Sequence, residues 1–145
     1  MAHVYDILAA KGHDVHTVNE DVTVLAATQV MNDHKIGALV VMRGGHVTGM
    51  FTERDVLRRV VVEQREPGLT HIADVMTRKV MCCAPDTALD DARTVMRNKH
   101  IRHLPVVGKN GELVGMVSIG DLNAWSIADG EATIHYMSEY IYGRA

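Results

Sequence analysis

The chain has 145 residues, of which 47% are hydrophobic and 23% charged, and its formal net charge at pH 7 is −3. This balance is typical of a folded globular unit and excludes a long disordered chain. The apolar runs are strand-sized, well short of the ~18 residues of a membrane helix. The slight negative charge disfavours nonspecific binding to nucleic acid. The first residues lack the features of a secretory signal, so we expect a cytoplasmic protein.

The first half of the chain is predicted to contain a leading helix over residues 3–10 and then five elements. A strand is expected at 15–18, followed by a helix with one buried face. Two Val-rich strands come next, separated by a glycine turn, and a second helix begins near Thr52. The positions that carry these patterns are Val24, Ala27 and Met31 for the helix, 38–42 and 47–51 for the strands, and 43–46 for the turn.

The second half repeats the first. When the chain is aligned with itself at an offset of 65 residues, which becomes 66 beyond Asn110, apolar positions match apolar positions and glycines match glycines. The matched pairs include Met31 with Met96, Leu39 with Leu104, Gly49 with Gly115, and Asp55 with Asp121. Each copy therefore has the order strand–helix–strand–strand–helix, and the opening strand of the second copy is expected at 80–83. Because one copy of roughly 60 residues buries only a small core, the two should pack together.

Two further segments complete the sequence. Residues 64–70 contain a Pro-Gly pair and are interpreted as the linker between the copies. Ile134, Met137 and Ile141 form an apolar stripe that predicts a closing helix over 131–142. We therefore divide the chain into a first repeat with its leading helix (1–66), a second repeat (67–128) and a C-terminal helix (129–145).

A Gly-x-x-Thr/Ser-x-x-Asp signature begins at Gly49 in the first copy and at Gly115 in the second, and residues 101–106 read Ile-Arg-His-Leu-Pro-Val. Together with the duplication, these motifs resemble a tandem CBS-domain protein, or Bateman module, over about residues 2–128. The resemblance implies an α/β (α+β) fold of two βαββα units packed as a pseudo-two-fold pair. It also implies that adenine nucleotides bind in the clefts between the units and that the chain forms a homodimer.

A hydroxyl and a carboxylate lie three residues apart at the start of one helix in each copy, as Thr52 with Asp55 and Ser118 with Asp121. A carboxylate suits a vicinal diol, because both ribose hydroxyls can donate to it. The same spacing is also a capping box, which stabilises a helix without any ligand. The resemblance favours ribose binding, and the hydroxyl can serve both roles.

The remaining parts of a nucleotide need other residues. A carboxylate in the first helical turn disfavours phosphate there despite the helix dipole, so phosphate is expected beside cations elsewhere. The candidates are Arg54, Arg58, Arg78, Lys79, Arg102 and His103, with Arg54 and Arg102 inside the repeated motifs.

The resemblance implies an adenine pocket lined by Thr17, Val18, Ala38, Leu39 and Val40 in the first copy, and by Cys82, Cys83, His103, Leu104 and Pro105 in the second. The family's apolar-Pro-apolar pattern is kept at Pro105 in the second copy, but Val40 stands at that position in the first copy. Cys82 of the second copy stands where the first copy has Thr17. The two sites are therefore expected to be inequivalent.

Other patterns predict no further chemistry. A disulfide between the adjacent residues Cys82 and Cys83 would strain the backbone, so none is expected. His100 and His103 lack a cysteine or carboxylate that would complete a metal site, so no metal is expected. Nucleophile-elbow, P-loop and Ser-His-Asp spacings are absent from the sequence, which disfavours an enzyme.

These interpretations predict a stand-alone regulatory module that binds an adenine nucleotide and signals to an effector protein. AMP is the first choice, followed by ADP, ATP or NAD, and no cofactor is required. The main alternative is a ligand-free structural interaction module, and a weaker one is binding of S-adenosylmethionine or a polynucleotide in the same pockets. Apolar side chains of the closing helix could pack a homodimer or complete the core of one chain.

Overall fold

The computed structural model describes residues 1–128, so the helix predicted at 131–142 lies outside the described residues. The elements are α1 (Val4–Lys11), β1 (Thr17–Asn19), α2 (Val24–His34), β2 (Ala38–Arg43), β3 (His46–Thr52), α3 (Glu53–Asp55), α4 (Leu89–Lys99), β4 (His103–Val107), β5 (Leu113–Ser118) and α5 (Ile119–Ala128). A π-helix, Val56–Val61, continues α3, and 3₁₀ turns at Pro67–Leu69 and Ile72–Asp74 lie between the halves. The predicted α+β fold is confirmed. No helix within residues 1–128 is long and apolar enough to cross a membrane.

The strands form two small sheets. In the first, β1 runs parallel to β2 and β2 runs antiparallel to β3, and in the second β4 pairs antiparallel with β5. The opening strand predicted at 80–83 is reduced to a single parallel bridge between Cys83 and Val106. The cause is Pro105, because the equivalent Val40 donates its N–H to His16 at 3.3 Å, and proline has no N–H to donate.

Each half of the chain completes the core of the other. The buried residues Val4, Ile7 and Leu8 of α1 pack with Leu104 and the rest of the second repeat's core. In the other direction, Ile72, Val75 and Met76 pack in the first repeat's core, which contains Phe51, Leu39 and Met31. The leading helix therefore precedes the first repeat in the sequence but packs with the second. A fully buried aliphatic side chain contributes about 1.5–3 kcal/mol, so this exchange ties the halves together.

A third apolar cluster joins the two sheets. Ala38, Val40 and Met50 are buried there, and residues of the second half, Leu113 and Met116 among them, pack against them. The two halves also repeat the same backbone contact, because Glu53 N–H donates to the Gly37 carbonyl at 3.1 Å and Ile119 N–H donates to the Arg102 carbonyl at 2.9 Å. The predicted pseudo-two-fold pairing of the repeats is confirmed.

Candidate functional site

A cleft of about 320 Å³ lies between the two halves, beside the start of α3. Its volume is at the lower end of the ~300–1,000 Å³ range of small-molecule sites. The first half contributes Gly37, Met50, Thr52, Glu53, Arg54 and Asp55 to its walls, and the second half contributes Thr77, Lys79, Val80, Met81, His100, Ile101, Arg102 and His103. Apolar, cationic and hydroxyl–carboxylate groups therefore meet in one cavity.

Asp55 lines this cleft and is 5% exposed. Its Oδ2 accepts a hydrogen bond from the Thr52 N–H at 3.0 Å, and its Oδ1 accepts one from the Thr77 hydroxyl at 3.1 Å. The Arg59 Nε lies 3.7 Å from Oδ1. The capping box predicted at Thr52 and Asp55 is thus formed, and the carboxylate is held in a fixed orientation.

The equivalent carboxylate, Asp121, has different neighbours. Its Oδ2 accepts hydrogen bonds from the Ser118 N–H at 2.8 Å and from the Lys11 ammonium at 2.8 Å. The Asp121 N–H in turn donates to the Ser118 hydroxyl at 3.0 Å, which completes a second capping box. Neither Ser118 nor Asp121 lines the 320 Å³ cleft. The two hydroxyl–carboxylate pairs therefore share a cap, and each carboxylate has a cationic neighbour, Arg59 beside Asp55 and Lys11 beside Asp121.

Three of the cations predicted to bind phosphate lie at the cleft, namely Arg54, Lys79 and Arg102, and His103 lies there with them. Arg54 also joins the halves, since its Nη1 donates to the His100 carbonyl at 3.1 Å. The other two arginine candidates lie elsewhere. Arg58 does not line the cleft, and Arg78 donates to the Ala73 carbonyl at 2.7 Å.

The residues predicted to hold adenine are mostly outside the cleft, and His103 is the member of that set that lines it. Leu39 and Leu104 are fully buried in the two repeat cores, and Ala38 and Val40 lie in the cluster between the sheets. The rest are buried (Pro105), half-buried (Val18, Cys83) or exposed (Thr17, Cys82). The cleft's own apolar walls are Met50, Val80, Met81 and Ile101.

Sequence reasoning missed Thr77, His100 and Glu53 as cleft residues. Thr77 carries no motif, and it reaches Asp55 because its backbone bonds twice to Met50, with its N–H donating to the Met50 carbonyl at 2.8 Å and its carbonyl accepting from the Met50 N–H at 2.9 Å. Only the packing of the turn Ile72–Asp74 against the first repeat brings that segment to the cleft. Glu53 lies inside the repeated signature, but the equivalent residue of the second copy is Ile119. Because the charge is not repeated, the comparison of the two copies did not indicate Glu53.

The imidazole of His103 is partly buried at the edge of the cleft. Burial lowers its pKa below the usual value, and the positive charges of Lys11 and Arg102 act in the same direction. The carboxylates of Asp121 and Glu53 oppose this effect without reversing it. His103 therefore favours its neutral form in the folded protein.

We expect the free energy of unfolding to decrease as the pH falls through about 6.5, the usual histidine pKa. Below that pH the unfolded chain takes up a proton at residue 103 that the folded chain binds less readily. Urea unfolding at pH 7.5 and pH 5.5 should show a smaller decrease in His103→Gln than in the wild type. His46→Gln changes an exposed imidazole at the first residue of β3 and should keep the wild-type decrease. An equal decrease in His103→Gln would contradict this assignment.

The two thiols are poor nucleophiles. Burial raises the pKa of the Cys83 thiol to about 11, with a further contribution from Cys82, and burial also raises the pKa of Cys82. Since the thiolate is the reactive form, neither residue has the depressed pKa of a catalytic or redox cysteine. Within residues 1–128, no three His, Cys, Asp or Glu side chains are placed together to hold a metal ion.

The structure is a tandem module of two βαββα repeats with a cleft between them. Comparisons with known proteins identify the family to which this module belongs. The CBS domain family model matches residues 4–62 and 72–127. The chain is 33% identical to the CBS domain-containing protein CBSX3, mitochondrial, of Arabidopsis thaliana, over 97% of this chain and 72% of that protein. The chain belongs to the CBS-domain family.

Solved structures show the same arrangement. A protein with CBS domains from Burkholderia ambifaria MC40-6 superposes with a TM-score of 0.84 at 38% identity, covering 88% of this chain and 96% of that one. The CBS domain pair of protein MJ0100, in complex with 5'-methylthioadenosine and S-adenosyl-L-methionine, has a TM-score of 0.80 at 22% identity. This superposition covers 90% of this chain and 99% of that one, and it shows that the two proteins share a fold.

Proposed function

We propose that this protein acts as a regulatory module, not an enzyme, and that it binds an adenine nucleotide in the cleft beside α3. The observation that carries the proposal is the meeting of three kinds of group in one 320 Å³ cavity. Thr52 and Asp55 offer a hydroxyl and a carboxylate for ribose, and Arg54, Lys79 and Arg102 offer positive charge for phosphate. The apolar side chains at the same cleft offer a surface for the base.

The charge and size of the cleft favour AMP among the adenosyl compounds. The cleft is lined by three permanent cations and two carboxylates, those of Glu53 and Asp55. This excess of positive charge attracts a phosphate group and repels a positively charged sulfonium such as that of S-adenosylmethionine. The volume suits a mononucleotide better than the larger NAD. ADP and ATP share the ribose and base contacts, and their additional phosphates would extend toward solvent.

The cleft can transmit a signal because its walls come from both halves of the chain. A nucleotide that contacts Asp55 on one side and Arg102 on the other stabilises one relative orientation of the repeats. It acts as a regulator only if it binds one orientation better than another. We propose that a separate effector protein recognises this change in orientation and that the module acts as a homodimer.

A ligand-free structural module is the second candidate function. It is favoured by the two capping boxes, which are complete without a ligand, and by the hydrogen bonds that already hold Asp55. In that case the cleft cations, Arg102 among them, would serve only as surface charge. The two candidates make different predictions for nucleotide binding.

A thermal-melt panel separates them. A ligand present at about 100 times its dissociation constant adds about 2.7 kcal/mol, which should raise the melting temperature by roughly 5–10 °C. We expect AMP to give this rise, ADP and ATP to give similar or smaller rises, and guanosine monophosphate to give none. The protein must first be shown to be free of co-purified nucleotide. If every nucleotide leaves the melting temperature equal to that of the ligand-free protein, the nucleotide-binding proposal is rejected and the structural module is favoured.

A further inference from the structure

A second cavity adjoins the nucleotide cleft, and Glu53 is the residue that lines both. This second cavity is an open groove of about 490 Å³ between α2 and the start of α3. Its apolar walls are Met31, Ile36 and Val56, and Asn32 and Lys35 of its rim carry an amide and an ammonium group. The Glu53 carboxylate therefore stands at the boundary between the cleft and a groove that offers hydrogen-bond donors.

Glycine at position 37 leaves room for the carboxylate at this boundary. The Glu53 N–H donates to the Gly37 carbonyl at 3.1 Å, and a Cβ on Gly37 would lie 3.2 Å from Glu53 Cδ. In the second half the equivalent residues are Arg102 and Ile119, which bring no carboxylate to the corresponding place. The position of Glu53 is thus a feature of the first half alone.

The charges on the two sides of this boundary are not neutralised by ion pairs. Within residues 1–128, neither the Glu53 carboxylate nor the Lys35 ammonium belongs to an ion pair. Burial lowers the pKa of His103, and the Glu53 carboxylate opposes that effect, so its charge acts across the cleft. One negative charge therefore separates the cations of the cleft from the cation of the groove.

A nucleoside monophosphate and a nucleoside triphosphate meet this carboxylate differently. The cleft cations can neutralise one phosphate group, whereas the two further phosphates of a triphosphate must pass Glu53 or turn toward solvent. The ammonium of Lys35 and the amide of Asn32 are donors that phosphate oxygens accept from, so the groove itself suits phosphate. Like charges a few ångströms apart at a protein surface repel enough to change an affinity by about tenfold.

We propose that Glu53 is the specificity-determining residue of the cleft, which admits a nucleoside monophosphate and keeps the further phosphates of a triphosphate out of the groove. The proposal rests on the proposed function, because it requires a nucleotide phosphate among the cleft cations. When the charge of Glu53 is removed, the groove becomes a subsite for the further phosphates, with Lys35 and Asn32 as their donors.

Calorimetric titrations with AMP and with ATP measure this discrimination, both in EDTA so that no divalent cation neutralises the phosphates. The wild type should bind AMP about tenfold more tightly than ATP. Glu53→Gln keeps the shape of the side chain and removes its charge, so ATP affinity should rise about tenfold and AMP affinity by less than about threefold. Adding Lys35→Met to Glu53→Gln should remove the ATP gain. Glu66→Gln neutralises an exposed carboxylate outside both cavities and should bind both nucleotides like the wild type.

The outcomes separate this proposal from the proposed function. If Glu53→Gln leaves the ratio of the AMP and ATP affinities unchanged, the role of Glu53 is overturned, while AMP binding by the wild type still supports the proposed function. An ATP gain that survives Lys35→Met overturns the groove as the phosphate subsite. If the wild type binds neither nucleotide, the proposed function fails for AMP, and ATP binding that appears in Glu53→Gln alone would support exclusion by this charge. Absence of binding in the wild type and in Glu53→Gln overturns both.

Discussion

Replacing Asp55 by asparagine is expected to weaken AMP binding by about 10- to 100-fold while leaving the fold intact. A hydrogen bond to a charged group contributes about 1.5–3 kcal/mol, and each 1.4 kcal/mol is a factor of ten in affinity. The asparagine oxygen can still accept the Thr52 N–H, and its amide can donate to the Thr77 hydroxyl, so the cap survives. Calorimetric titration with AMP, together with the melting temperature of the ligand-free protein, measures both effects.

The matched control for this variant is Asp90→Asn, which neutralises an exposed carboxylate on α4, outside the cleft. It changes the net charge by the same amount and should leave AMP affinity unchanged. If Asp55 serves only as a cap, the two variants will have equal AMP affinity. That result would contradict the ribose assignment even if AMP binds elsewhere in the cleft.

The fold was largely predictable because its signals are local and occur twice. The i, i+3, i+7 spacing of Val24, Ala27 and Met31 indicates the buried face of α2, and the same spacing recurs in α4. What could not be predicted is which partner each apolar face meets. The face of α1 is visible in the sequence, but its position in the core of the second repeat depends on the paired backbone bonds between Val4 and Thr87 and between Leu89 and Ala2.

Departures from the repeat pattern have local causes that sequence periodicity does not report. Pro105 removes one N–H and with it the opening strand of the second half. The helix after Thr52 changes from α to π winding at Val56, and the Val62 N–H donates five residues back, to the Leu57 carbonyl. An apolar spacing suited to a helix does not distinguish these two windings.

The candidate site was predictable where one short motif supplies its residues and unpredictable where the fold supplies them. Thr52, Arg54 and Asp55 come from the duplicated signature, and Arg102 comes from the matching strand segment. Thr77 and Met81 enter the cleft only through the exchange of segments between the halves. Strand residues such as Leu39 are identifiable as buried, but the pattern does not say whether they face a core or a cavity.

Phe51→Ala is expected to lower the free energy of unfolding by about 3–5 kcal/mol, the usual cost of removing a buried aromatic ring. Phe51 is the only phenylalanine in the chain and is 0% exposed. It packs in the core that the exchanged residues Ile72, Val75 and Met76 complete. Against a typical stability of about 5–15 kcal/mol, this is a large share, and urea unfolding measures it directly.

The same substitution tests whether the core and the cleft are coupled. Phe51 directly precedes Thr52, and Met76 directly precedes Thr77, so both hydroxyls that bond to Asp55 are positioned by side chains of this core. AMP affinity should therefore fall together with stability in Phe51→Ala. Leu57→Ala removes a side chain that is 58% exposed and should cost less than about 1 kcal/mol with no loss of affinity. Undiminished AMP affinity in a destabilised Phe51→Ala would show that α3 and the segment after Ile72–Asp74 hold the cleft without the aromatic ring, and that the core contributes stability alone.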